Sequence, residues 1–557
     1  MMLPSQSSLP LVSSTLNYLE ELPKNPDLKS QDLGHLGLVA GMCRELKIAE
    51  IIDKHLPSNR IVSHGTAVCA MILNGLGFVN QRLYLTEHFF QNKPVSRLLG
   101  VDILAEHLND DTLGRTLDAL HEYGLSKLYG EIALNTVTLL KLSPSSLHLD
   151  GTSFHVDGNY NHGEEPPEGV IRITQGYSRD HRPDLNQVVL NLIMESQAKI
   201  PLHFQLAHGN SNDKTNFESI ISSHLTYLKT VFPKSHFVAD GALYIQENLP
   251  KLQKVTLFVS RVPATIKEVQ DLIQTHTSLE GFERLNEHYS VLEVESQYGG
   301  VPQRWLLFHS QFAVKRSIQT VQRRWFKTSK LEEKKFKSLN RTLFACPKEA
   351  QRALDSFQKS LSTSSLKDPQ ILQEAHYHQR GRPSEKKEPT HIGYRITGIL
   401  FSSLERYQQR LDQQGFFVLA TNDLNRQDFP PLKVLESYKD QSGVERGFRF
   451  LKTPEFLASS FFVHRPERLM AILMIMTLCL MVYAALEYRV QNALSESQQK
   501  VPNQVGKLTS TPTTRWIFHL FHGIHLLFFP NTKPVVLNMT PLHRQIIELL
   551  GYQHYYS

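Results

Sequence analysis

Cysteine is scarce in this chain. Four occur in 557 residues, at Cys43, Cys69, Cys346 and Cys479, and no two form a CxxC pair. That argues against a zinc knuckle or a disulfide framework and fits a reducing cytoplasm. Excess charge of one sign is also small. Lys and Arg total 60 against 54 Asp and Glu, leaving +6 and a pI near 8.9. This mild basicity tolerates a nucleic-acid partner without demanding one. The N-terminus lacks a basic segment followed by an apolar run, so no signal peptide is expected. Long apolar runs are almost absent. The exception is residues 469–486, LMAILMIMTLCLMVYAAL, 18 residues without a charge. That length is the lower edge for a membrane span, and a helix buried on every side gives the same pattern. Its shortness and its methionines favour the buried helix, and no membrane partner is expected.

The length implies several domains, and an apolar fraction of 41% is ample for ordinary cores. Residues 1–32 are polar, with Ser, Pro and Asn, and read as a flexible arm. Residues 33–142 repeat apolar positions at three- and four-residue steps, which predicts a helical domain. A structural or dimerising bundle and a helix-turn-helix reader both fit this pattern, although no helix-turn-helix turn stands out. After Ser143-Pro144 the period changes to that of strands. LHLDGTSFHVDG, VIRITQGYSRD and NQVVLNLIMES read as three antiparallel strands, followed by helix, strand, helix and strand. That is the order of a ribonuclease-H-like sheet over residues 143–280. Residues 281–414 lose this rhythm, and residues 415–490 return to it with a buried strand and helices. A helical C-terminal region, 491–557, follows. The expected fold class is α/β, with a ribonuclease-H-like core in two parts, an N-terminal helical domain and a helical tail.

Two basic stretches lie in residues 281–414. From Lys315 to Arg341 there are ten Lys and Arg against two Glu, including Arg323 and Arg324, with Trp325 among them and Trp305 just before. A solvated charged helix and a nucleic-acid groove both fit this composition. Arg380 and Arg382, in RGRP, stand in a short basic turn that suits either a minor groove or a solvated loop.

The most informative stretch is residues 438–452, YKDQSGVERGFRFLK. On one continuous helix, Tyr438, Gln441, Glu445 and Lys452 share a face, drifting by only about 60°. Gly443 and Gly447 weaken the helix and also permit close approach of another backbone or a ligand. Two further acids stand at strand ends, each followed by glycine: Asp150-Gly151 and Asp240-Gly241. Carboxylate oxygens on separate elements suit Mg²⁺ or Mn²⁺ rather than a thiolate-bound metal.

Together these residues resemble the DDE transposases of bacterial insertion sequences, in the group with a Tyr-(2)-Arg-(3)-Glu-(6)-Lys signature around the last acid. Tyr438, Gln441, Glu445 and Lys452 match its spacing, with Gln441 where the signature has arginine. GYSRDHRPDLNQVVL, VADGALYIQENL and YHQRGRP add to the resemblance. It implies Asp150, Asp240 and Glu445 as the catalytic and metal-holding acids. Tyr438, Gln441 and Lys452 then fall at DNA-contacting positions, and residues 281–414 form a largely β insertion. It further implies metal-dependent cleavage and strand transfer of terminal inverted repeats into target DNA, by a homodimer at the bacterial nucleoid in the cytoplasm. The competing readings are an inactive DNA-binding descendant and a ribonuclease-H-like repair nuclease.

Overall fold

The computed structural model describes residues 29–78, 85–156, 160, 166–177, 182–211, 220, 225–376, 391–453, 463, 465–529 and 532–557. Two units share the chain: residues up to 243 with 251–258 and 436–557, and residues 244–250 with 259–435.

The first unit begins with helices α1 (Leu36–Glu45), α2 (Ile48–His55), α3 (His64–Leu76), α4 (Asp110–Tyr123) and α5 (Leu125–Leu140). Their starts are set locally. The Ser63 hydroxyl accepts the Thr66 N–H at 3.1 Å ahead of α3, and the Asn109 side chain accepts the Thr112 N–H at 3.0 Å ahead of α4. Strands β1 (Ser146–Val156), β2 (Asn186–Glu195), β3 (Pro201–Ala207) and β4 (His236–Ala239) follow, ordered β3-β2-β1-β4 in the sheet. β1 is antiparallel to β2 and parallel to β4.

Among the described residues the order of three strands, helix, strand, helix, strand is found with a different third strand; most of the expected first helix, SNDKTNFESIISSHLTYL, lies outside them, at 212–219 and 221–224, and its end is in the helix Thr226–Val231. Among its described residues, 170–177, VIRITQGYSRD contributes only an isolated bridge, Thr174↔Gln187, and the antiparallel trio is completed by β3. The β2–β3 turn explains the substitution. The buried Glu195 carboxylate accepts N–H groups of Gln197, Ala198 and Ile200 at 2.6–2.9 Å, folding the chain straight back on itself.

The second unit holds β5 (Phe258–Val262), β6 (Tyr289–Ser296), β7 (Gln303–Ser310), α6 (Gln311–Arg341), α7 (Pro347–Ser360), β8 (Ser364–His376), β9 (His391–Ser402), α8 (Leu404–Asp412) and β10 (Phe416–Thr421). Residues 281–414 are therefore not largely β, since they carry three helices including one of 31 residues. Trp325, Glu332, Phe336 and Leu339 recur at helical spacing, which turns one side of α6 inward; Phe336 packs with Phe357 and Leu361. Nor do β6 and β7 stand apart. They continue a sheet in which β10 pairs with both β5 and β7. Arg304 on β7 is fully buried there, bonded to the Glu293 carboxylate at 2.8 Å and to the carbonyls of Asp423 and Phe429.

The chain closes the first unit with α9 (Pro431–Lys439), whose last turn belongs to it, then α10 (Ser442–Leu451), α11 (Pro466–Glu496), α12 (Thr514–Leu520) and α13 (Pro541–Leu550). The apolar run lies in α11. This helix is long and apolar enough to cross a membrane, yet 89% of its apolar window is buried inside the protein. It packs against α1, α3, α4, α5, α10, α12, α13 and β3 and forms the axis of the unit. The C-terminal aromatics return to the first helix: the Tyr556 hydroxyl donates to Gly34 O at 2.9 Å and Tyr552 to Glu45 at 2.6 Å.

Candidate active site

Asp150 and Asp240 are brought together by the parallel pairing of β1 and β4. The last ladder pair is Leu149↔Ala239, and each aspartate is the next residue. Neighbouring strands lie about 4.8 Å apart, so the backbones of the two aspartates stand close together where the ladder ends. Asp150 is 8% exposed and Asp240 half-buried. A backbone N–H holds one oxygen of each: Gly151 donates to Asp150 Oδ1 at 2.8 Å and Ala242 to Asp240 Oδ1 at 2.9 Å.

The face that carries Asp150 also carries His148 and Phe154, and Met194 opposite His148. α10 lies on this face, against β1, β2 and α11. Gly447 makes that approach close, because a Cβ there would meet Leu480 and Met194 side-chain atoms at 3.1 and 3.2 Å. Gly443 does the same against Lys199, where a Cβ would meet Cδ at 2.8 Å. The glycines expected to weaken the helix thus let it sit down on the strands that carry the first acid. Burial, reinforced by the Lys199 charge, pushes the His148 imidazole down to about 3, so it is neutral beneath the helix.

The single helix expected across residues 438–452 is broken. α9 ends at Lys439 and α10 begins at Ser442, with Asp440 and Gln441 forming the turn between them. Gln441 keeps helical angles and accepts from Val444 at 3.0 Å, so the break is a tightening of one turn. It changes what the four side chains face. Tyr438 and Lys452 are half-buried, Glu445 is exposed, and Gln441 is only 8% exposed. The Gln441 amide oxygen is buried without a hydrogen-bond partner. A direct DNA contact from Gln441 does not fit this placement, because the tightened turn directs the amide inward. Lys452 reaches back over the sheet, its Nζ 5.7 Å from the centre of the Phe154 ring.

Glu445 stands on the exposed side of a helix that covers the Asp150 face. Among the described residues, no three carboxylate, imidazole or thiol groups are arranged so that they could hold a metal ion. The aspartate pair, with backbone-anchored oxygen donors, matches the chemistry of a hard divalent cation, and Glu445 is an acid on the adjoining helix.

The remaining expected contact residues divide. Arg323 and Arg324 are exposed on α6. Trp325 is turned away from them. Its Nε1–H donates to Ser402 Oγ at 3.0 Å and its ring packs edge-on to Tyr407, so it fastens α6 to β9 and α8 rather than facing DNA. Trp305 is 4% exposed, with its Nε1–H donating to the Tyr244 hydroxyl at 2.9 Å, and it too is a packing residue. Arg380 and Arg382 lie outside the described residues. Two features went unread in the sequence. One is Lys199, with Nζ 3.8 Å from Asp440 at the break. The other is the regular spacing of cations along all of α6, visible only once helical phase is assigned.

A family model described as a domain of unknown function (DUF4277) matches residues 28–134, and one described as Transposase DDE domain matches residues 142–482. No curated protein matches the chain. Among solved structures, a cryo-EM structure of a piggyBac transposase synaptic complex with hairpin DNA is similar at 10% identity and a TM-score of 0.37, over 92% of this chain and 84% of that one. The Transposase DDE domain match spans more than half of the chain and includes the sheet bearing Asp150 and Asp240, so the chain belongs to the DDE transposase family.

Proposed function

We propose that this transposase binds the terminal inverted repeats of a bacterial insertion sequence, cleaves the DNA there and transfers the cut strand to a target. We assign it to the group with the Tyr-(2)-Arg-(3)-Glu-(6)-Lys signature. The observation that carries this reading is the Asp150–Asp240 pair, one step beyond the Leu149↔Ala239 ladder. The sheet β3-β2-β1-β4 is read as the ribonuclease-H-like core, and the strands and helices before β10 as its insertion. Pairing two element ends needs at least two copies, so the working complex is a homodimer on duplex DNA at the nucleoid.

Asp150 and Asp240 would hold a divalent cation, Mg²⁺ or Mn²⁺, with Glu445 as the third acid. Such ions supply charge neutralisation on the attacking and leaving oxygens of an in-line displacement at phosphorus. The residues of the chain do the positioning. Backbone N–H groups fix one oxygen of each aspartate. The glycine contacts of α10 hold the helix of Glu445 down on β1 and β2. Lys452 and Tyr438 orient phosphate near the cut, and Arg323 and Arg324 add phosphate contacts.

The test is nicking and strand transfer on duplexes carrying the repeats that flank the gene, with Mg²⁺ present. Asp150→Asn, Asp240→Asn and Glu445→Gln should each lower both activities by at least about a hundredfold, the scale of losing one group that stabilises transition-state charge. Asp184→Asn is the control, an exposed carboxylate paired with Arg182 at 2.8 Å. Wild-type rates in all three variants would refute the assignment. The inactive-descendant reading is favoured by the buried Gln441, and a wild-type protein that binds the repeats without nicking them would establish it.

A further inference from the structure

Helix α6 carries ten cations and two acids, and its geometry sorts them. At about 100° per residue, Arg316, Arg323, Lys327, Lys330, Lys334, Lys337 and Arg341 fall within about 80° of one another. All seven are exposed or half-exposed along one side of the helix. They span 25 residue steps, about 38 Å at 1.5 Å each. The opposite side is the packed one, with Trp325, Glu332 and Phe336.

The acids do not neutralise this stripe. Glu332 is buried and spent on the turn before β8, accepting N–H from Ser362 at 2.7 Å and the Thr363 hydroxyl at 2.7 Å. Glu333 forms an ion pair with one of the seven, Lys337, at 2.6 Å. The other helices of the unit mix signs: Lys348, Glu349, Arg352, Asp355 and Lys359 on α7, and Glu405, Arg406, Arg410 and Asp412 on α8. A face serving only solubility resembles those. On α6 five successive like-charged pairs, from Arg323 to Arg341, stand three or four residues apart, a spacing at which like charges destabilise a helix. An anionic partner would offset that repulsion. Phe326, 62% exposed, flanks the stripe with Lys330 Nζ 4.4 Å from its ring centre.

We infer that the α6 stripe is a docking surface for the phosphate backbone of duplex DNA, read without regard to sequence. A straight line of about 38 Å is a little over one turn of B-form duplex, which carries one charge per about 1.7 Å of axis. The cations lie on one rigid element, and the indole N–H groups of Trp305 and Trp325 are taken up by Tyr244 and Ser402. This deepens the proposed function and rests on DNA being the partner.

The experiment is a salt titration of binding to a labelled 40-base-pair duplex of random sequence, using the full chain without divalent metal, so that cleavage plays no part. In Arg323→Gln/Lys327→Gln/Lys330→Gln/Lys334→Gln, the slope of log affinity against log salt should flatten by about 2–4, near 0.9 for each phosphate that the variant no longer neutralises. Thermal stability should not fall. Lys348→Gln/Arg352→Gln/Lys359→Gln/Arg410→Gln should leave the slope unchanged. An unaltered slope in the α6 variant overturns the inference, as does flattening with single-stranded RNA but not with duplex. A wild-type chain that binds no duplex overturns both the inference and the proposed function. Loss of nicking in the acid variants with the slope intact supports the surface as separate from the chemistry.

Discussion

The two longest helices have the same length and opposite uses. Gln311–Arg341 and Pro466–Glu496 are each 31 residues. The first buries only Glu332 and Phe336, while the second buries 18 of its residues. Helical length therefore says nothing about role; the distribution of charge around the axis does. In α11 the apolar residues go all the way round, which requires partners on every side, and the first unit supplies them. In α6 a narrow apolar edge fixes the helix to β9 and α8, and the rest is left to solvent and charge.

The largest expected effect comes from exchanging these environments. Leu478 on α11 is fully buried, so Leu478→Lys should unfold the first unit, because a buried unpaired ammonium is added to the lost packing. Leu331 on α6 is 53% exposed, and Leu331→Lys should change stability by no more than about 0.5 kcal/mol. Denaturant unfolding of both variants checks the pair, and equal effects would erase the contrast.

A smaller effect is expected at the one buried acid of α6. Burial acts against ionisation of Glu332, but the N–H of Ser362 and the hydroxyls around it outweigh that and hold the carboxyl at about 2. A depressed carboxylate contributes stability that is complete above its unfolded value near 4.5 and lost as pH falls toward about 2. Glu332→Gln should cost about 1.5–3 kcal/mol at neutral pH, the scale of hydrogen bonds to a charged group, and should remove this part of the acid sensitivity between those limits. Unfolding followed at pH 7 and pH 3 measures both.

Much of this was legible in the sequence for identifiable reasons. The uncharged run at 469–486 permitted only a membrane span or an all-round core, and burial chose the core. Asp150 and Asp240 each follow a strand-like apolar segment, and parallel pairing places equivalent residues side by side. Other features depend on tertiary contacts. VIRIT has strand composition, but the Glu195-clasped turn gives β2 another neighbour. The break at Asp440 leaves no mark on side-chain periodicity, and Gln441 beside it is buried. Trp325 among cations has the composition of a nucleic-acid groove; its hydrogen bond to Ser402, 77 residues away, makes it a packing residue.

Under the proposed function, Asp150 and Asp240, with Glu445, would form the metal-dependent site of this transposase. The most direct measurement is Mn²⁺ binding to the full chain by electron paramagnetic resonance, with and without a short duplex. Wild-type protein with duplex should immobilise Mn²⁺. Asp150→Asn and Asp240→Asn should each weaken that binding at least tenfold, with a smaller loss for Glu445→Gln, whose carboxylate stands on the exposed side of α10. Equal Mn²⁺ binding by wild type, Asp150→Asn and Asp240→Asn would contradict it.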